Sequence, residues 1–419
     1  MTLSKNGVVH FLLHRGLLTH KSVVDGDLMV VENQSRHQTF SVIRRRHPPS
    51  YFVKQARPSQ PDTAMTLQRE AVCYALAQGE QGVASLKSLM PRYYGYDPVH
   101  HLLITEWLGD TENLAAYHQR LGKFPTDVAA KLGEALGRYH RSDGITPAQL
   151  GNQLGNQPGQ TSEFPNTPPW IFMLHQGNAA MVPGGGGAIM GLVQHFAELS
   201  QALDRLQQTW QAAPPRLIHS DMKWENCLVS VPQEAGAPAN GAPPNGAPAN
   251  GTEPDVKIVD WETAALGDPY WDVGSIFHSY LRFWVLAMPA TPDATPAQLA
   301  ARAPYQLEDM QPSAHAFWRA YVDSLRDGRS DGTSNSAAAQ GAAAQGAPME
   351  GATAQGAPLD EAQLLERCIN YAAARLLQTA FEYSTQFQYT LHSALLAQVS
   401  QNIFLNPRGA LQDLFGFSA

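Results

Sequence analysis

The chain has 419 residues, 43% of them hydrophobic and 16% charged, which suffices for one large or two ordinary domains with a hydrophobic core. Its formal charge is −8 and its one basic run is Arg44–Arg46, so we expect no nucleic-acid partner. The three cysteines are scattered, and no stretch is typical of a signal peptide or a membrane span, so we expect a cytoplasmic protein without membrane contact.

The first quarter of the chain has the pattern of β-strands around one helix. Residues 62–78 carry apolar side chains at helical spacing, and polar turns separate the apolar segments on either side. Five segments predict strands: 28–31, 39–43, 51–54, 92–96 and 101–107. This order predicts a small antiparallel β lobe with a single helix, ending at residue 108.

Beyond residue 108 the pattern is mostly helical. Strand signals there are limited to 217–218, 227–229 and 256–259. Helices are predicted at 126–142, 192–210, 268–288 and 361–404, the last as two or more segments. The sequence therefore predicts an α+β fold of two lobes, residues 1–108 and 109–419.

Three stretches interrupt the larger lobe, near 144–191, 231–254 and 330–359. They are rich in Gly, Ala, Pro, Asn or Gln, and the last two contain short repeats. Such segments bury too little apolar surface to offset the entropy lost on ordering. We predict that they are disordered insertions.

Two short segments carry the most specific chemical signal. Residues 219–226 read His-Ser-Asp-Met-Lys-Trp-Glu-Asn, and the apolar run from Val256 ends in Asp260. Phosphoryl transfer needs a carboxylate that orients a hydroxyl, and oxygen ligands that hold Mg²⁺ at a triphosphate. We predict that Asp221 orients and deprotonates the acceptor, while Asn226 and Asp260 bind Mg²⁺. The alternative is that these residues only shape turns, but a carboxylate ending a buried strand is costly without a cation.

Further residues fit the same chemistry. Lys223, two residues after Asp221, could stabilise the transferring phosphoryl group, although a surface lysine is the alternative. Lys54 ends the third predicted strand, and Glu70 lies in the following helix, so the pair could hold the lysine at the α- and β-phosphates. Backbone groups near Glu106 and Leu108 are candidates to bind adenine. The turn at 32–38 contains no glycine, and no Walker A loop occurs, so a glycine-rich phosphate cradle is absent.

Together these residues resemble the aminoglycoside phosphotransferase and choline kinase-like family. The resemblance rests on three segments: His219-Ser-Asp-Met-Lys-Trp-Glu-Asn226, Val259-Asp-Trp-Glu262 and Gly267-Asp-Pro-Tyr-Trp-Asp-Val-Gly274. It implies the bilobal protein-kinase-like fold, with a nucleotide-binding N-terminal lobe and a C-terminal lobe for catalysis and acceptor binding. It also implies that Asp272 braces the catalytic loop.

The sequence thus predicts an enzyme, a phosphotransferase that uses ATP and Mg²⁺ and a hydroxyl-bearing small molecule or peptide as acceptor. Lys223-Trp-Glu-Asn226 is closer to the Lys-Pro-Glu-Asn of Ser/Thr kinases than to the usual small-molecule version. One alternative is therefore a Ser/Thr kinase for a precursor peptide in lanthipeptide-type maturation. Another is a nucleotide-binding pseudokinase that scaffolds a partner enzyme of unknown identity.

Overall fold

The computed structural model describes residues 2–34, 36–60, 62–78, 84–141, 164–231, 255–289, 291, 293–327, 360–387 and 390–418. The described residues form two compact units. Those of the first lie within Met1–Asn113, Gly151–Phe164 and Asn226–Ala264, and those of the second lie within Leu114–Leu150, Pro165–Glu225 and Ala265–Ala419. Residues 226–231 and 255–264 thus cluster with the N-terminal part of the chain, and the lobe boundary at residue 108 stays a prediction.

The described strands are short and antiparallel wherever they pair. They are β1 (Leu28–Gln34), β2 (Gln38–Arg44), β3 (Tyr51–Gln55), β4 (Tyr93–Asp97), β5 (Leu102–Glu106), β6 (Thr111–Asn113), β7 (Arg216–Ile218), β8 (Cys227–Ser230), β9 (Val256–Ile258) and β10 (Ala265–Gly267). The first five form one sheet in the order β1-β2-β3-β5-β4, while β6-β8-β9 and β10-β7 form two smaller sheets.

Helices account for most of the second unit. The described α-helices are α1 (Lys5–His14), α2 (His20–Val24), α3 (Asp62–Gln78), α4 (Ala84–Leu89), α5 (Leu114–Leu121), α6 (Thr126–His140), α7 (Gly186–His195), α8 (Ala197–Ala212), α9 (Tyr270–Ala287), α10 (Pro296–Ala301), α11 (Leu307–Asp327), α12 (Glu361–Phe387), α13 (Leu391–Leu405) and α14 (Pro407–Phe415). None of the helices in the described ranges has the length and apolar character needed to cross a bilayer.

Alternation along the strands gives the five-stranded sheet two different faces. Tyr51 and Val53 of β3 are buried on the face that packs against α1, in one cluster with Val8 and Leu12. Because successive side chains of a strand point to opposite faces, Phe52 and Lys54 project from the other face. The apolar core behind β3 therefore fixes the direction of the lysine.

Helices α9 and α12 pack closely in the second unit. A Cβ atom added to Gly274 of α9 would lie 2.7 Å from the carbonyl oxygen of Cys368 in α12, so only glycine allows this approach. The contact sets the position of the first turn of α9 relative to the middle of α12. Both segments carry residues of the candidate site.

The predicted disorder of residues 144–191 is wrong for the part that the structure describes. Residues 170–176 form a 3₁₀ helix, and α7 begins at Gly186. The physical reason is local apolar content, since Ile171, Phe172 and Ile189 are fully buried. Residues 144–163, 232–254 and 330–359 of the predicted insertions lie outside the described residues.

Candidate active site

The first unit contains a cavity of about 390 Å³. Six residues singled out from the sequence line it: Lys54, Glu70, Glu106, Leu108, Asn226 and Asp260. The other lining residues are Arg36, His37, Thr39, Phe52, Tyr74, Pro91, Leu103, Thr105, Trp107, Leu228, Val259 and Glu262. Its volume lies within the usual range for small-molecule pockets.

Lys54 is held by two carboxylates. Its Nζ atom donates to both carboxylate oxygens of Glu70, at 2.9 Å each, and to Oδ1 of Asp260 at 2.7 Å. The lysine and Glu70 side chains are 12% and 2% exposed. The contact that the sequence predicts between strand and helix is therefore present, and Asp260 joins it.

The charges around Lys54 do not cancel. Burial lowers the pKa of Lys54, but the attraction of Glu70 and Asp260 outweighs burial and raises it above its usual value. Burial raises the pKa of Glu70 to about 7, against the opposing attraction of Lys54. One ammonium thus faces two carboxyl groups, of which that of Glu70 is buried and that of Asp260 is 38% exposed. Such a cluster lacks positive charge and favours the binding of a further cation.

Asn226 and Asp260 lie at the same end of the β8–β9 hairpin. Cys227 pairs with Ile258, and the Val259 N–H donates to the Asn226 carbonyl at 3.0 Å, so the two residues flank the last pair of the ladder. Asp260 adopts a left-handed conformation with φ of 69°, which is costly for a residue other than glycine and is common at functional sites.

Their side chains fit a magnesium site by chemistry. An amide and a carboxylate oxygen are the hard ligands that Mg²⁺ prefers, and this ion usually keeps only one or two protein carboxylates, with phosphate and water as the rest. Among the described residues, no group of three or more His, Cys, Asp or Glu side chains is placed to hold a metal ion. A Mg²⁺ ion here would therefore depend on oxygens from a bound ligand.

The end of β5 forms an apolar wall of the cavity. The rings of Phe52 and Trp107 stack with centroids 6.0 Å apart. The N–H groups of Glu106 and Trp107 donate to the carbonyls of Arg92 and Ser50 at 2.8 and 3.0 Å. In contrast, the Leu108 N–H has no acceptor among the described residues, so this wall offers a backbone donor beside two aromatic rings.

The second unit holds Asp221 between two cations. Lys223 Nζ lies 2.5 Å from Oδ2 of Asp221, and Arg375 of α12 donates to Oδ1 at 2.8 Å. Burial acts to raise the pKa of Asp221, but Arg375 and Lys223 hold it below the ordinary range. Asp221 is therefore ionised at neutral pH, and each of its oxygens is oriented by a separate donor.

The first turn of α9 braces the loop that carries Asp221. The carboxylate of Asp272 accepts the His219 N–H at 2.7 Å and the Ser220 N–H at 2.9 Å, and the indole of Trp271 donates to the Ser220 carbonyl at 2.9 Å. Ser220 has a φ of 71°, so these bonds stabilise a strained backbone. The predicted brace by Asp272 is confirmed.

Two residues of the candidate site, Arg375 and Arg36, were not predicted from the sequence. Arg375 follows Asp221 by more than 150 residues, and only its position inside the apolar run from Tyr371 to Leu377 marks it as unusual. Arg36 lines the cavity from the turn between β1 and β2, and no sequence motif marks this position.

Comparison with known proteins supports the fold. No protein-family model matches the chain, and no curated protein matches it either. An ethanolamine kinase from Plasmodium vivax matches with a TM-score of 0.52 at 11% identity, covering 96% of this chain and 90% of that chain. A choline/ethanolamine kinase family protein from Mesorhizobium loti matches with a TM-score of 0.44 at 14% identity, covering 96% of each chain. The first likeness, together with the five-stranded antiparallel sheet and the helical second unit, confirms the predicted protein-kinase-like α+β fold class.

Proposed function

We propose that the protein is a phosphotransferase that moves the γ-phosphate of ATP to a hydroxyl group, with Mg²⁺ as cofactor. The observation that carries the proposal is the pairing of Lys54 with both Glu70 and Asp260 on the wall of a cavity that Asn226 also lines. The likeness in fold to an ethanolamine kinase supports it.

The cavity suits a nucleotide. The stacked rings of Phe52 and Trp107 provide an apolar wall for adenine, and the Leu108 N–H supplies a donor for a ring nitrogen. Lys54 lies on the same wall of the cavity as Phe52, two residues further along β3, and its ammonium can bind the α- and β-phosphates while Glu70 holds it in place.

Asn226 and Asp260 would hold the metal. The ion would neutralise charge on the phosphates as the bond to the leaving oxygen breaks. Lys54 donates to Oδ1 of Asp260, so the carboxylate that would hold the metal lies beside the ammonium that would bind the phosphates. The left-handed backbone at Asp260 fixes the direction of its carboxylate.

Asp221 would orient the acceptor hydroxyl and take its proton late in the transfer. Arg375 and Lys223 engage its two oxygens, and Lys223 would stabilise the transferring phosphoryl group. A carboxylate with a lowered pKa is a weak base, which suits a loose transition state in which the proton moves late.

A phosphate-transfer screen tests the proposal. The full chain would be incubated with Mg²⁺, γ-labelled ATP and one of three acceptor classes: aminoglycosides, small amino alcohols, or Ser/Thr peptides. We expect label on one class, a loss of about 10²–10⁴-fold in turnover for Asp221→Asn, and loss of nucleotide binding for Asp260→Ala.

Each outcome has a clear meaning. Label on peptides alone would identify a peptide kinase. Nucleotide binding without transfer to any class would favour a scaffold with a kinase-like fold. Equal turnover of the wild type and Asp221→Asn on the labelled acceptor would remove Asp221 from the mechanism.

A further inference from the structure

Arg36 is a second cation on the wall of the nucleotide cavity. It lies in the turn between β1 and β2, and it lines the same cavity as Lys54 and Asp260. Its guanidinium contacts Oδ2 of Asp62 at 2.7 Å and Oε1 of Glu262 at 3.3 Å. The arginine therefore has two acidic partners and lies on the wall of the cavity.

The two ion pairs of Arg36 differ in how firmly they are held. The Asp62 side chain is 59% exposed, and an exposed pair of this kind contributes little because water and salt screen it. The Glu262 side chain is 12% exposed and also contacts His37 and Thr66. Glu262 thus anchors the arginine at the cavity wall, while its bond to Asp62 is readily exchanged.

The charge around the cavity explains why a second cation matters. Among the described lining residues, the full cations are Arg36 and Lys54, and Lys54 is bound to two carboxylates. Burial lowers the pKa of His37, which favours its neutral form. A triphosphate would therefore meet a wall that is short of positive charge unless Arg36 contributes.

The turn that carries Arg36 contains no glycine. Concave sites for phosphate made of successive backbone N–H groups need conformations that glycine adopts easily, and the turn at 32–38 has no glycine. An arginine side chain can replace such a site because its planar fork matches two phosphate oxygens at once.

We propose that Arg36 binds a phosphate group of the nucleotide, exchanging its bond to Asp62 for charge-assisted hydrogen bonds to phosphate oxygens. This inference rests on the proposed function, since it assumes that the cavity binds ATP. It assigns to a side chain the phosphate contact that a glycine-rich turn would otherwise make through its backbone.

Calorimetric titration of the full chain with Mg²⁺·ATP and, separately, with adenosine tests this assignment. Arg36→Ala should weaken ATP binding about 10–100-fold and leave adenosine binding unchanged, because only ATP carries phosphates. Arg36→Lys should fall between the wild type and Arg36→Ala, since lysine keeps the charge but loses the fork.

Two control variants separate phosphate binding from folding. Asp62→Asn removes the exposed ion pair but keeps Arg36, and it should bind ATP at least as tightly as the wild type. Arg45→Ala removes an exposed arginine near the end of β2 that does not line the cavity, and its ATP affinity should stay within about twofold of the wild type.

The outcomes distinguish this inference from the proposed function. A wild-type protein that binds neither ATP nor adenosine would overturn both. If the wild type binds ATP and Arg36→Ala binds it equally well, or loses ATP and adenosine to the same extent, Arg36 is not a phosphate ligand. Weakening by Asp62→Asn equal to that of Arg36→Ala would also overturn the inference.

Discussion

The pKa of the Glu70 carboxyl group depends on its burial and on the charges of Lys54 and Asp260. It is 1% exposed and shares the ammonium of Lys54 with Asp260. Burial is the largest influence and raises its pKa to about 7, although the attraction of Lys54 acts in the other direction. At neutral pH a proton therefore competes with Lys54 for this carboxylate.

This competition predicts a pH dependence of stability. A carboxyl whose pKa is higher in the folded than in the unfolded protein contributes stability that is present below about pH 4.5 and is lost as the pH rises through about 7. Glu70→Gln imitates the protonated form at every pH. The unfolding free energy of Glu70→Gln should therefore rise relative to that of the wild type by about 1–3 kcal/mol between pH 5 and pH 8.

Urea denaturation of both proteins across this range, in the absence of nucleotide, measures the difference. Groups that titrate elsewhere are common to both proteins, so their contributions cancel when the two curves are subtracted. If the unfolding free energy of Glu70→Gln instead falls relative to that of the wild type as the pH rises, the ion pair with Lys54 affects the pKa of Glu70 more than burial does.

At the scale of elements, the first turn of α9 connects helix packing to the geometry of the loop that carries Asp221. The buried carboxylate of Asp272 accepts two backbone N–H groups from this loop, one of them from the strained Ser220. The position of the turn depends on the close packing of Gly274 against α12, which also carries Arg375. Helix α9 therefore positions the backbone of the loop, and Arg375 of α12 positions the carboxylate of Asp221.

We expect Asp272→Asn to destabilise the second unit and slow transfer without changing nucleotide affinity. The amide keeps one acceptor oxygen, so one loop N–H loses its partner in a buried setting, at a cost of about 2–3 kcal/mol. Turnover on the acceptor identified by the screen should fall more than about tenfold, because the loop positions Asp221. The cavity-lining residues all belong to the first unit, so ATP affinity should stay within about twofold of the wild type.

Thermal unfolding, ATP titration and turnover measured together test this expectation. Asp323→Asn provides the matched control, since this side chain of α11 is 71% exposed and its ion pair with Arg326 is long, at 3.8 Å. A loss of ATP affinity that parallels the loss of turnover would contradict a role confined to the catalytic loop.

Elements with a local signal could be predicted from the sequence, and those that depend on distant contacts could not. Alternation along 51–54 and helical spacing along 62–78 gave β3 and α3, and with them the meeting of Lys54 and Glu70. Helix α11 contains Pro312, which removes a helical hydrogen bond and works against a helix prediction. Arg375 reaches Asp221 only through the packing of α12, which no local pattern encodes.

At the scale of the whole molecule, the chain has the fold of a protein to which it is hardly similar in sequence. The likeness to the ethanolamine kinase extends over 96% of this chain at 11% identity, so the two chains share a backbone fold with little residue identity. The low-complexity tract at 231–254 joins two strands that already pair with each other. Because of this pairing, the tract can be replaced to measure its effect on ATP affinity and on the free energy of unfolding.

The described residues on either side of this tract pair with each other in a hairpin. Val229 pairs with Val256, and the Ser230 N–H donates to the Asp255 carbonyl at 3.0 Å, so a short turn can join the two strands. Asn226 and Asp260 lie at the opposite end of the same hairpin. We therefore predict that replacing residues 232–254 with a four-residue Asn-Gly-containing turn leaves ATP affinity within about twofold of the full chain.

The shortened chain should also be more stable. Closing a shorter loop loses less chain entropy, and the logarithmic dependence on loop length gives a gain of about 1–2 kcal/mol in the free energy of unfolding. Urea denaturation and ATP titration of the full and shortened chains measure both quantities, and an equally long Gly/Ser-rich replacement controls for composition. If both replacements abolish ATP binding while the fold persists, the tract itself contributes to the site, because neither loop length nor hairpin closure would then explain the loss.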